Sequence, residues 1–221
     1  MSLLTYPLPA AGYFGGLRVA SCTFDLGEAL EISRTGAGEV LTADLGPRLW
    51  TGQVTLAQAR ARTAHATHAV LQTLRQAGRS LMVFDPAHAC PAADPEGAIL
   101  AAAGAAPVIA ALPAGNRSLQ LEGLPAGYGL SPGDYLSFAY GAAPERVAFH
   151  QIVQGAVADV AGVTGEIEVI PHIRPGAVLG APVQLVRPAF KAVIKPSSVQ
   201  LGASAPGLVG PTSFEILQTL R

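Results

Sequence analysis

Apolar and polar residues alternate over short runs along most of this chain, and one stretch alone carries a helical period. Alternation with period two predicts half-buried strands, because successive side chains point to opposite faces. In the first third it picks out Ser21 to Phe24, Val40 to Leu45, Arg48 to Val54 and Leu81 to Phe84, the last ended by Asp85-Pro86. Between them the spacing predicts a helix over 56–77. Thr55-Leu56-Ala57-Gln58 fits a capping box, with Thr55 as N-cap and Gln58 at N3. Gly78 fits the C′ position, and Arg75 and Arg79 sit where the helix dipole favours cations. Leu56, Ala59, Thr63, Ala66, Val70, Leu74 and Ala77 form one narrow stripe, with His65, His68, Gln72 and Gln76 on the far side.

Short alternating runs return after an Ala/Pro-rich stretch over 87–112, which reads as a linker or extended insertion feeding a strand at Pro107 to Leu112. They centre on Leu119/Leu121, Leu136/Phe138/Tyr140, Val147/Phe149/Val153, Ile167/Val169, Val183/Leu185 and Phe190/Ala192/Ile194. Turn chemistry separates them at Pro125-Ala126-Gly127, at Pro132-Gly133, which suits the centre of a type II turn, and at Asp159 to Gly162. Six such segments over 113–195 predict a β-sandwich or small barrel. Residues 196–221 begin Pro/Ser/Gly-rich and end on Phe214-Glu215-Ile216-Leu217. They read as an extended C-terminal arm with a closing strand, free to return to the first part. The fold class is mainly β (α+β): a strand-helix-strand domain over 1–86, then a β-rich domain.

Charge changes this picture more than length does. Asp, Glu, Lys and Arg make up 13% of the 221 residues, about half the usual share. Much neutral or apolar surface must therefore face outward, a liability for a monomer and an asset in an assembly. A chain rich in Ala and Gly accounts for part of that deficit. Net charge is −1, so no long-range field favours nucleic acid or an anionic membrane. The uncharged stretch Ala98 to Gly115 is short for a membrane span and is broken by Pro107 and Pro113. Met1 to Pro9 has no basic n-region and is broken by prolines, so it does not read as a secretory signal. Cys22 and Cys90 read as two free, buried thiols of a chain made in a reducing cytoplasm rather than as a disulfide framework.

Candidate chemistry is thin. Asp85-x-x-His88-x-Cys90 is the densest reactive cluster, but no helix N-terminus stands behind Cys90 to stabilise a thiolate. His65-x-x-His68 lacks further ligands for zinc. Glu166 and Glu168 share one strand face and read as a solvated edge rather than a glycosidase pair. His150 and His172 read as structural imidazoles. Trp50, the one tryptophan, reads as a core or interface anchor. No P-loop, dinucleotide fingerprint or nucleophile elbow is present. These patterns predict no catalytic residue, no cofactor and no metal, and a chain that is not an enzyme.

Three phrases in order resemble tail proteins from the tail modules of siphophages and prophages. The first is Asp44-Leu45-Gly46-x-x-Leu49-Trp50-Thr51-Gly52, then the helix and Phe84-Asp85-Pro86. The second is Leu119-x-Leu121-x-Gly123-Leu124-Pro125, leading to Gly133-Asp134-Tyr135-Leu136-Ser137-Phe138. The third is His150-Gln151-Ile152-Val153, Ala158-Asp159-x-x-Gly162 and Val169-Ile170-Pro171-His172-Ile173-Arg174. The chain is similar, over most of residues 20–190, to the distal tail proteins of long-tailed bacteriophages. The resemblance implies a belt-like ring-forming domain, a peripheral β-sandwich, and a six-fold ring at the tail tip or baseplate of the virion, made in the host cytoplasm. Its implied partners are copies of itself (a hexamer), the tail tube protein and hub or tip proteins, with DNA passing through without specific binding and no membrane. Low charge and extended termini suit head-to-tail ring contacts. The expected assembly interface is Leu49, Trp50, His65, His68 and Gln72. Alternatives are another tail protein (tube, terminator or hub-associated subunit), a carbohydrate-binding adsorption module, or a cell-wall hydrolase using Asp85, His88 and Cys90.

Overall fold

Which backbone segments find ladder partners decides this fold. The structure, a computed structural model, describes residues 4–221. Met1 to Leu3, the start of the segment read as carrying no signal, lie outside the described residues. Strands make up 38% of the residues and helices 11%, so the fold is mainly β.

The elements run β1 (Val19–Leu26), β2 (Leu30–Arg34), β3 (Val40–Asp44), β4 (Trp50–Leu56), β5 (Ala59–Arg60), α1 (Ala61–Leu74), β6 (Leu81–Val83), α2 (Ala98–Ala103), β7 (Val108–Ala111), β8 (Ser118–Glu122), β9 (Tyr135–Tyr140), β10 (Arg146–Gln154), β11 (Ile167–Ile170), β12 (Val183–Gln184), β13 (Phe190–Ile194), β14 (Ser204–Ala205), β15 (Leu208–Val209) and β16 (Thr212–Gln218). The first sheet has the order β1-β4-β16-β13-β6 and is antiparallel throughout. Its core comes from alternation: Trp50, Gly52, Val54 and Leu56 of β4 and Phe214 and Ile216 of β16 are buried. The second sheet has the order β12-β9-β10-β11-β8-β7. Its two edges meet, because Ile109 N–H donates to Ala181 O at 3.1 Å and Val183 N–H to Pro107 O at 2.8 Å. The result is a small barrel filled by Ile109, Leu119, Leu121, Leu136, Phe138, Ile152, Ile167 and Val183.

Domain bounds differ from those expected. β13, placed by its sequence position in the second unit, lies in the first sheet between β16 and β6. The C-terminal arm, expected to end on a closing strand free to return to the first part, supplies β16, which takes an interior place in that same sheet. The linker expected over 87–112 contains α2 and β7, with Leu100 and Ile109 buried in the barrel. The barrel is therefore an insertion in a unit built from both ends of the chain. Strand pairing distant in sequence leaves no local signal that could have revealed this.

The helix also differs. It spans Ala61–Leu74, and Arg60 at its N-cap makes no side-chain capping bond. Thr55 and Leu56 belong to β4, where they pair with Ser21 and Val19 on one side and Ser213 and Thr212 on the other. Ladder bonds on both edges of β4 outweigh one capping interaction of about 1 kcal/mol. The buried face is Ala64, Leu71 and Leu74, about a quarter turn from the expected stripe. Leu74 belongs to both faces; Leu71, contributing roughly 1.5–3 kcal/mol on burial, sets the rotation against alanines that contribute little. Thr63 and Ala66 consequently face solvent.

Candidate assembly surface

The reactive clusters bound what the surface can do. Asp85 is buried; its carboxylate accepts the Ala87 N–H at 2.9 Å and pairs with His88 Nδ1 at 3.0 Å. His88 is exposed, and Cys90 Sγ packs near Gly97 and Val186 instead. Burial and the Asp94 carboxylate push the Cys90 thiol up. Burial, then Asp85, pushes Cys22 up to about 12. Both shifts oppose thiolate formation, the opposite of what a nucleophile needs. Glu166 accepts the Ser118 hydroxyl at 2.9 Å, and Glu168 is exposed opposite buried Ile167 and Val169. His150 is buried, stacks on Phe138 and hydrogen-bonds to Pro171 O at 2.7 Å through Nδ1. Among the described residues no group of three or more His, Cys, Asp or Glu could hold a metal ion. No helix among them is long and apolar enough to cross a membrane.

The residues expected at an assembly interface separate. Trp50 is 2% exposed. Its indole N–H donates to Phe149 O at 3.0 Å, its backbone N–H to Gln218 Oε1 at 3.2 Å, and its ring meets Tyr135 and Phe149 edge-on. Trp50 thus joins the barrel to the first sheet, which corrects its assignment as a subunit contact. A fully desolvated ring cannot also anchor a partner. Leu49 is half-buried, with its carbonyl accepting the Gly27 N–H at 3.0 Å. His68 is half-buried and hydrogen-bonded to Thr212 Oγ at 2.9 Å. His65 and Gln72 face solvent on α1, where Gln72 accepts from Arg75 at 2.9 Å.

The feature missed by sequence reasoning is a two-stranded ribbon. β2 and β3 pair only with each other, from Leu30↔Asp44 to Arg34↔Val40, as a continuation of the β1–β4 ladder beyond the sheet. Every residue of both strands is exposed. Cross-strand partners share a face, so Leu30, Ile32 and Val40 lie together with Arg34, Thr42 and Asp44. Ile32 is 64% exposed, and Leu45 at the root is 68% exposed. An unsupported hairpin of this size is marginal in water, and its large exposed side chains make it the candidate surface. The root, by contrast, is fixed. Leu45 N–H donates to Ala29 O at 2.7 Å, and the Arg48 guanidinium donates to the carbonyls of Leu26 and Gly27 at 3.1 and 3.2 Å. Arg174 reaches across from the barrel to Arg48 O at 3.2 Å, beside a cleft of about 420 Å³.

Charge is distributed unevenly around this ribbon. Residues 27–46 hold Glu28, Glu31, Glu39 and Asp44 against Arg34 alone, whereas residues 45–84 hold five arginines and no acid. That asymmetry was legible in the sequence. Val40 to Leu45 was legible too, but as a half-buried strand, since alternation cannot say whether anything covers the apolar face; its partner strand Leu30–Arg34 was not read.

No known family model matches the chain, and no curated protein matches it.

Proposed function

We propose that this chain is a structural subunit of a phage tail tip or baseplate, similar to distal tail proteins, forming a ring that joins the tail tube to the tip and lets DNA pass. The observation that carries the assembly part of this reading is the projecting ribbon, with Leu30, Ile32 and Val40 in solvent on a chain with half the usual charge. Such a ribbon gains stability by being covered, and among the described residues nothing of its own chain covers it. The tail-specific part rests on the ordered phrases shared with that family. Copies of the same chain, the tube protein and hub proteins are the proposed partners, and the virion tail tip is the proposed location.

Two features weigh against the other readings. All aromatic residues of the barrel (Tyr128, Tyr135, Phe138, Tyr140 and Phe149) are buried, leaving no stacking platform for a sugar ring. Both thiols are held in the protonated form, which disfavours a cysteine hydrolase. The test is the mass of the purified protein by light scattering, with negative-stain images and antibody labelling of tails. Rings of the purified chain and label at the tail tip are expected. A monomer at every concentration, or label absent from tails, overturns the reading.

A further inference from the structure

We infer that the ribbon of one copy docks along the outer face of α1 of the next copy, in a head-to-tail contact. The inference rests on the assembly reading above and names the surface that receives the ribbon. Three observations support a second copy as the occupant.

The first is charge. The ribbon is acidic, with four carboxylates and one arginine across residues 27–46. α1 is bracketed by Arg60 and Arg62 at its start and Arg75 and Arg79 beyond its end, with no acid between residues 45 and 84. In a chain with so few charges, this separation places complementary patches on two parts of one molecule. Arg60, Arg62 and Arg75 are exposed, and Arg79 lies over the Tyr6 ring at 4.4 Å.

The second is relief. The solvent face of α1 centres on Ala66 and Ala69, flanked by Arg62, His65, Gln72 and Gln76. Alanines in mid-face leave a shallow, uncharged track where Leu30, Ile32 and Val40 can seat, with basic groups at the track's ends for Asp44 on that same ribbon face and for Glu39 at the ribbon's turn. The third is length. Fourteen helical residues rise roughly 21 Å, and five paired strand residues extend roughly 17 Å. Ribbon and track match.

Because donor and acceptor are different surfaces, the contact is heterologous, and copies linked this way form a closed ring or an open filament. His65 and Gln72 then lie at the contact, while Trp50 lies behind it in the core.

The geometry gives a one-sided test. The ribbon variant carries Ile32→Ser and Val40→Ser; the track variant carries Ala66→Glu and Ala69→Glu. All four positions are exposed, so circular dichroism of both variants is expected to match that of the parent. Where the track variant loses helical signal, Arg62→Glu with Arg75→Glu replaces it. Sedimentation velocity is run at ten times the concentration of half-assembly of the parent. Each variant alone is expected to be monomeric. Mixed in equal amounts, they are expected to give a 1:1 dimer and nothing larger, since one functional ribbon meets one functional track. Either variant assembling alone like the parent overturns the inference, and so does a mixture that stays monomeric. A parent that is itself monomeric overturns the ring reading as well; a parent ring that both variants still form overturns this inference alone.

Discussion

Replacing Trp50 with alanine separates a core residue from an interface residue. The indole is 2% exposed, and truncation to alanine removes roughly 200 Å² of buried aromatic surface, or about 5 kcal/mol at 25 cal/mol per Å². Measured costs for such truncations run about 3–5 kcal/mol, because the cavity collapses only in part. Phe149 O also loses its donor at 3.0 Å, and a carbonyl stranded in a dry site adds roughly 1–3 kcal/mol unless water enters. Stability of an ordinary domain is about 5–15 kcal/mol, so Trp50→Ala is expected to lose at least about a fifth of it, and most of it in a marginal domain. The effect should be centred on the joint between the barrel and the first sheet, where Tyr135 and Phe149 lean on the indole. Urea unfolding followed by far- and near-ultraviolet dichroism, at concentrations where the parent is monomeric, measures the loss. A midpoint unchanged from the parent, with assembly abolished, would refute the placement of Trp50 in the core.

Further outcomes follow from other parts of the molecule. Gly162→Ala is expected to cost more than the roughly 1 kcal/mol of an ordinary glycine replacement, because φ is +80° and a Cβ there would collide with Leu124 O; a midpoint shift below that size in denaturant contradicts it. Burial holds the His150 pKa down at about 4, against 6.5 when free. The unfolded chain therefore binds the extra proton between those values, and stability present above pH 6.5 is lost as pH falls through 4. His150→Gln is expected to flatten unfolding free energy against pH in that window, and an unchanged slope speaks against it. With Cys22 raised to about 12 and Cys90 raised too, iodoacetamide at pH 8 is expected to label the folded protein far more slowly than the urea-unfolded chain; equal rates refute the protected-thiol picture. On the tail-subunit proposal, replacing His88 by Ala and Cys90 by Ser together is expected to leave plaque counts unchanged; a loss of plaques with normal folding would favour the hydrolase reading instead.

Alternation of apolar and polar residues determined by itself that this chain is mainly β. It located most strands, because side chains two apart on an extended backbone share one face. Cores of the barrel strands, such as Leu119/Leu121 and Leu136/Phe138, were legible for that reason. The same pattern could not place β13 or β16, since pairing between Thr51 and Leu217 or between Met82 and Lys191 leaves no local mark. Nor could it set the start of α1. The capping box at Thr55 is sound local chemistry, but β4 has neighbours on both edges, and their ladder bonds claim Thr55 and Leu56. Burial likewise belonged to the tertiary structure. Trp50 and Ile32 both sit in strand-like segments of apolar residues, yet one is enclosed by Tyr135, Phe149 and Gln218 while the other stands in solvent. The sequence records which side chains share a face; only packing of distant segments decides whether that face is covered.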